Sequence, residues 1–338
     1  MNATVVVLTF NAGAWIDRLL AALARQQTEF SWETLIIDSG SGDGTLPAVR
    51  QYVDSAEGRA RLHQIPNNEF GHGKTRNMAA SMAKGEYVVF LTHDAVPAHE
   101  HWLEAMIQPF AVSDRVACVY GKQIPWPDCP PSVKRDVTGL FRRHGPDHCI
   151  TLQERNALIT HQAEIDATTF FSDVNSAIRK SVLTGPIPFR DLSYAEDQAF
   201  GRDVIAAGYL KAYTPFGAVL HSHHYALLQY YRRMYDEMVG LKNATGRSLD
   251  TSIAFHLAWM GKSTLDDWRF IARDSSYAPS AKAKWFVEAP FYNAARRVAI
   301  RLSVKDNLPR WVRNVSSLEF NQRRRLDPSH PASARTTA

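Results

Sequence analysis

Residues 84–97 read KGEYVVFLTHDAVP, from Lys84 to Pro97, and this stretch decides the fold. Tyr87 to Thr92 form an unbroken apolar or β-branched run, the pattern of a strand covered on both faces in a parallel sheet. The run stops at Thr92-His93-Asp94, and Pro97 has no N–H with which to continue a central ladder. A carboxylate and an imidazole therefore stand at the C-terminal end of a core strand, where open α/β sheets bind their ligands. Asp94 can hold a divalent metal through oxygen with His93 beside it, or it can cap a helix starting near Ala98.

Upstream, strands are expected at Thr4 to Phe10, Thr34 to Ile37 and Ala60 to Ile65, with helices at Trp15 to Gln26, Leu46 to Val53 and Thr75 to Ala83. This alternation predicts right-handed crossovers and a mostly parallel, Rossmann-like α/β sheet flanked by helices. Downstream, Val116 to Tyr120 is a further strand, and the four prolines between Gln123 and Pro131 mark a long loop. Gln198 to Ala207 reads as a helix closed by Gly208, and Ala212 to Leu220 as a strand delivering His221-Ser222-His223-His224. From Leu227 the periodicity is helical. The expected organisation is a catalytic domain over 1–235, a helical basic region over 236–325 and a disordered tail over 326–338.

Composition bounds the functions available. The three cysteines (Cys118, Cys129, Cys149) form no CxxC pair and imply a reducing compartment. The N-terminus lacks a basic segment before its apolar run, so it reads as a first strand. No apolar run approaches the roughly 20 residues that span a bilayer. These features place the chain in the cytoplasm or on the cytoplasmic face of a membrane. Charge is uneven: Ala281 to Arg325 carries eleven Lys or Arg against three acidic residues, while the residues before it sum to −3. A basic tail on a mildly acidic body excludes a nucleic-acid footprint over the main domain.

Several motifs could carry chemistry. Gly71-His72-Gly73-Lys74-Thr75 ends like a P-loop, but Asn68 stands where its first glycine is needed, so an NTPase is excluded. The two glycines allow close backbone approach to a ligand, and Lys74 and Arg76 bring positive charge to a helix start suited to phosphate. Asp38 ends the second strand, where a carboxylate can accept from a pyrimidine imide or a ribose hydroxyl; Asp43 reads as a turn residue. Glu196-Asp197 opens a helix, either as capping residues or as a general base for a hydroxyl. His221 and His223 alternate along an extended segment, so both face one side, a spacing that suits metal or diphosphate.

In this order the motifs resemble family-2 glycosyltransferases of the glycosyltransferase-A fold, enzymes that invert the anomeric centre of a nucleotide sugar. Thr9-Phe10-Asn11, IIDSGSGDGT at Ile36 to Thr45, Arg76-Asn77, the strand ending at Asp94, and Glu196-Asp197 carry the likeness over Met1 to about His224. EFGHGKTRNMA, YGKQIPWPD, FFSDVNSAIRKS, AEDQAFGRDVIAAGY and HSHHY resemble the bacterial rhamnosyltransferase branch more narrowly. That resemblance implies a dTDP-L-rhamnose donor, a glycan or polyprenyl-diphosphate-linked acceptor and a divalent metal, Mg2+ or Mn2+. It implies Asp197 as base supported by Glu196, and Asp38 reading the thymine edge. Thr9 and Asn11 would line the nucleoside pocket, with Lys74, Arg76 and His93 on the donor. Asp94, with His221 or His223, would form the metal site. The family's Asp-x-Asp is Thr92-His93-Asp94 here, and the usual Asp after Asp38 is Ser39.

Two other readings stay open. A sugar nucleotidyltransferase shares the sheet but needs a basic glycine-rich loop after the first strand, where Phe10-Asn11-Ala12-Gly13 offers no cation. A degenerate nucleotide-sugar or glycan-binding module is the other. The basic tail, with Trp285, Phe286, Phe291, Tyr292, Val298, Ile300 and Leu302 among Arg296, Arg297 and Arg301, reads either as a peripheral membrane contact or as a solvated basic helical face packed on the catalytic domain.

Overall fold

Alternate residues of the apolar runs face opposite ways, and both directions are buried. Val5, Val7, Ile36 and Leu91 pack with Leu19 and Trp102 on one side of the sheet. Val6, Leu35, Ile37, Val88 and Phe90 pack with Phe200 on the other. A sheet covered on both faces needs strands that are apolar throughout, which is why the sequence shows runs here rather than alternation.

A computed structural model of the chain describes residues 1–156, 158, 161–192, 194–246, 252–318 and 320–321; the expected tail over 326–338 lies outside the described residues. The strands are β1 (Ala3–Thr9), β2 (Trp32–Asp38), β3 (Ala60–Gln64), β4 (Tyr87–Thr92), β5 (Val96–Pro97), β6 (Val116–Ile124), β7 (Thr151–Gln153), β8 (Asn175–Arg179) and β9 (Leu210–Leu220). Their order is β3-β2-β1-β4-β8-β6-β9-β5, with β7 also pairing β9. The first four in that order are parallel, as expected from their crossovers. The rest of the sheet is mixed: β8 runs antiparallel to both β4 and β6, and β5 and β7 are antiparallel to β9. β8 begins with the polar pair Asn175-Ser176, and nothing local in five residues records direction.

The helices are α1 (Ile16–Ala24), α2 (Thr45–Ser55), α3 (His72–Met82), α4 (Trp102–Ile107), α5 (Pro131–Arg142), α6 (Gln162–Thr169), α7 (Lys180–Leu183) and α8 (Glu196–Ala206), then α9 (Leu227–Thr245), α10 (Ile253–Arg273), α11 (Pro279–Ser303) and α12 (Arg310–Ser316). α1 shows how the sequence builds them. Ile16, Leu19, Leu20 and Leu23 fall on one face and are buried, each contributing about 2 kcal/mol of apolar transfer.

The helix expected from about Ala98 is corrected. α4 begins at Trp102, and Val96-Pro97 instead form an edge strand on β9, where proline is tolerated. Asp94 therefore caps no helix.

Contacts divide the chain into two units, Met1–Trp126 with Asp136–Ser222, and Pro127–Arg135 with the residues from His223 onward. Asp236, the boundary expected from sequence, falls inside the continuous helix α9, and the division lies ahead of that helix. In the second unit, Arg135 Nη1 meets Asp267 Oδ1 at 2.9 Å and Lys134 Nζ meets Asp274 Oδ2 at 2.7 Å.

Candidate active site

The ends of β1 and β2 are joined through Asp38. Its Oδ2 accepts from Thr9 Oγ1 at 2.9 Å and Ser41 Oγ at 2.5 Å; its Oδ1 accepts from Gly40 N at 3.0 Å and Ser41 N at 2.9 Å. The carboxylate is fully buried. Asp38 and Thr9 thus hold the loop after β2, and a nucleobase could reach Asp38 only by displacing one of these donors. Asn11 is exposed, with φ +47°, and its Oδ1 accepts from Gly42 N at 2.9 Å. Asp43 is a turn residue, as read from sequence. Burial would raise its pKa, but donors from Thr45 and Gly13 outweigh that and hold it low.

Arg76 points inward from α3: Nη1 donates to Glu196 Oε1 at 2.6 Å and to His72 O at 3.2 Å, and Nε lies 3.3 Å from Asp173 Oδ2. Burial disfavours the charged guanidinium, but Asp173, Glu196 and Asp197 outweigh that and raise its pKa. The glycine ahead of it is also spent within the protein. A Cβ on Gly73 would come within 2.2 Å of Arg190 O, so this glycine serves close packing of α3 and not a phosphate. Lys74, one position on, is exposed.

Three carboxyls therefore surround one guanidinium at the head of α8, where Ala195 takes the left-handed conformation at φ +61° and turns Glu196 and Asp197 into the cluster. Asp197 accepts from Asp173 N at 3.3 Å and from Gln198 N at 2.7 Å. Burial raises its pKa well above the usual carboxylate range, Glu196 and Asp173 push it further, and Arg76 only partly offsets them. Burial likewise lifts Asp173 to about 6 against the opposing pull of Arg76. A carboxylate so placed is a stronger base than an exposed one.

The other half of the site lies at the end of β4. Asp94 Oδ2 is 3.6 Å from His221 Nε2, and His221 Nδ1–H donates to Gln123 Oε1 at 2.9 Å. With its proton fixed on Nδ1, the imidazole presents a lone pair to a carboxylate oxygen. An imidazole nitrogen and a carboxylate oxygen at that separation leave room for a shared cation or proton. Asp94, His221 and His223 each offer a ligand atom, all within 4.8 Å of one another. Oxygen and imidazole donors with an oriented histidine fit a divalent ion. The buried Thr92 Oγ1, two residues upstream, has no hydrogen-bond partner. His93 turns the other way, its Nδ1 3.3 Å from Leu8 O.

The turn over 172–175 links the two halves. Ser172 Oγ accepts from Gln123 Nε2 at 3.1 Å, Val174 O accepts from Thr92 N at 3.2 Å, and Asp173 meets Arg76 and Asp197. Asp173, Ser172 and Gln123 were not singled out as site residues from sequence, although FFSDVNSAIRKS and YGKQIPWPD contain them. A buried acid immediately before a strand was the available signal. A cavity of about 410 Å³, lined by Arg135, Asp266, Arg269, Phe270, Arg273 and Asp274, belongs to the second unit and includes none of these residues.

A mixed α/β sheet with a base candidate and a metal-ligand set at its strand ends is the architecture of a nucleotide-sugar-dependent transferase. The chain belongs to glycosyl transferase family 2, whose family model matches residues 4–184. It is 32% identical over 238 residues to the O-antigen chain rhamnosyltransferase WbaN of Salmonella anatum, covering 69% of this chain and 70% of that one. It is 28% identical over 248 residues to the O-antigen chain rhamnosyltransferase RfbN of Salmonella typhimurium, covering 70% and 71%. Among solved structures it resembles the mannosyltransferase PcManGT of Pyrobaculum calidifontis, solved with GDP-Man and Mn2+, with a TM-score of 0.58 at 18% identity over 89% of this chain and 87% of that one. That likeness places the fold as glycosyltransferase-A.

Proposed function

We propose that the chain is an inverting, metal-assisted rhamnosyltransferase. It would move L-rhamnose from dTDP-L-rhamnose onto a hydroxyl of a glycan acceptor carried on polyprenyl diphosphate, at the cytoplasmic face of the inner membrane, in bacterial surface-polysaccharide synthesis. The observation that carries the transferase reading is the buried acid cluster of Asp173, Glu196 and Asp197 around Arg76, tied through one turn to Asp94 and His221. The choice of rhamnose is supported by the two O-antigen relatives.

In this reading the acceptor hydroxyl attacks C1 of the sugar from the face opposite the diphosphate. The new C1–O bond forms as the bond to the diphosphate breaks, with its electron pair leaving on dTDP, and the hydroxyl proton passes to Asp197. A single in-line displacement inverts the anomeric centre. The raised pKa of Asp197 suits it to hold that proton, while Glu196 and Arg76 fix its surroundings. Asp94, His221 and His223 would hold the divalent ion, which supplies Lewis-acid charge to the departing diphosphate. The nitrogen donors favour Mn2+ over Mg2+, which prefers an all-oxygen shell. Asn11, Lys74 and His93 are the remaining candidates for donor contact.

The test is nucleoside-diphosphate release from dTDP-rhamnose, UDP-GlcNAc and GDP-mannose, with and without acceptor. Turnover of dTDP-rhamnose alone is expected, abolished by Asp197→Asn with donor affinity within about threefold of the parent, since a general base acts mainly on the transition state. Turnover retained by Asp197→Asn refutes the base, and pyrophosphate-dependent exchange points to a nucleotidyltransferase instead.

A further inference from the structure

The second unit carries one helix, α10, whose polarity is largely reversed. It buries His256, Ser263, Thr264 and Asp267 beside Ile271 while exposing Ile253, Phe255, Leu257, Trp259 and Leu265. A surface helix of a globular protein ordinarily does the opposite. α11 buries Ala289, Tyr292, Ala299 and Ile300 together with Asn293 and Ser303 yet still exposes Val287, Phe291 and Val298, and α12 exposes Trp311 and Val315. The buried polar groups are not stranded: Asp267 meets Arg135 and accepts from Asn293 Nδ2 at 2.6 Å. This internal polar packing leaves the large apolar side chains Phe255, Trp259 and Leu265 of α10 facing outward.

Cations are interleaved with that apolar surface. Between Ile253 and Ser316 the chain has eleven Lys or Arg against five acidic residues, of which Asp267 is fully buried. Lys262 lies 5.4 Å and Arg297 5.5 Å from the Trp259 ring, and Lys284 lies 4.9 Å from the Trp285 ring. Lysine is depleted from protein–protein interface cores, so a face carrying Lys262 among exposed aromatics is a poor match for a second protein surface. Anionic headgroups over an acyl layer complement it in both charge and polarity. No helix among the described residues is long and apolar enough to cross a bilayer, so these helices would lie on it.

We infer that the outward face of α10, continued by α11 and α12, docks the protein on an anionic lipid surface. This rests on the second unit alone and is independent of which sugar is transferred. The test is sedimentation of the full chain with phosphatidylcholine vesicles with and without phosphatidylglycerol. Binding is expected only with phosphatidylglycerol, weakening at high salt. It should fall at least about tenfold in the triple variant Phe255→Ser, Trp259→Ser, Leu265→Ser, because burial and charge act together. Turnover with a water-soluble acceptor should stay at the parent level. The charge-reversing pair Lys262→Glu and Arg269→Glu, which leaves the apolar face intact, should also lose vesicle binding. Equal sedimentation with both vesicle types, wild-type binding by either variant, or a dimer in solution that the triple variant dissolves would overturn the inference; the last would assign the face to a second copy.

Discussion

Replacing Gln123 by leucine probes the proposed metal end of the site without touching a proposed ligand. Gln123 accepts from His221 Nδ1 at 2.9 Å and donates to Ser172 Oγ at 3.1 Å, so it fixes both the ring's orientation and the nitrogen that keeps the proton. Leucine fills a similar volume but leaves the buried Nδ1–H without an acceptor, a cost of about 1–3 kcal/mol. The ring can escape that cost by moving its proton to Nε2, which removes the lone pair facing Asp94. Either way Mn2+ affinity should fall by about 10–100-fold, the usual effect of losing an orienting partner of a metal-binding histidine. Gln123→Glu supplies a stronger acceptor at the same position and should keep affinity within a few fold of the parent. Manganese titration followed by electron paramagnetic resonance in the presence of dTDP measures this directly, and a thermal melt confirms folding. A folded Gln123→Leu protein with undiminished manganese affinity would refute the reasoning, as would a glutamate variant as weak as the leucine one.

Three further outcomes are expected. The pKa of Asp173 rises from 3.8 to about 6, so the folded state holds a proton that the unfolded chain releases; stability is greatest below the lower value and declines by about 3 kcal/mol as pH passes the upper one. Asp173→Asn should flatten that decline in urea unfolding series and, by removing a negative neighbour, move the acid limb of turnover to lower pH; an unchanged slope refutes the assignment. Arg76→Met should cost about 3–5 kcal/mol by leaving buried carboxylates uncompensated, and adding Asp173→Asn should restore part of the lost melting temperature. EDTA should stop turnover and added Mn2+ restore it, with Asp94→Asn resisting that rescue; indifference of the parent enzyme to EDTA removes the metal from the mechanism.

What could be read from sequence follows from how locally each feature is encoded. β4 occupies Tyr87–Thr92 as expected because a doubly covered strand writes itself as an apolar run. Asp94, His221 and His223 converge because each sits where a strand ends, and strand ends are readable. The surroundings of Arg76, Asp38 and Thr9 were not legible for the converse reason. A charged or polar group near a strand end looks available from sequence, whereas here neighbours far along the chain consume its hydrogen bonds: Glu196 for Arg76, and the loop after β2 for Asp38. Asp173 escaped notice because its meaning lies in a partner 97 positions away, and β8 escaped orientation because pairing with β4 and β6 sets it.

The insertion of β8 between β4 and β6 has a consequence for synthesis on the ribosome. When the nascent chain has emerged as far as Ile124, β4 has a partner on one side only, and β6 still lacks the strand that will join it to β4. The edges of β4 and β6 that face β8 stay open until Asn175–Arg179 leaves the exit tunnel, and the other edge of β6 waits for β9. Chains stalled or truncated in that interval would display unsatisfied ladders on β4 and β6, a template for intermolecular pairing, and would be expected to depend on holding chaperones more than the finished protein does.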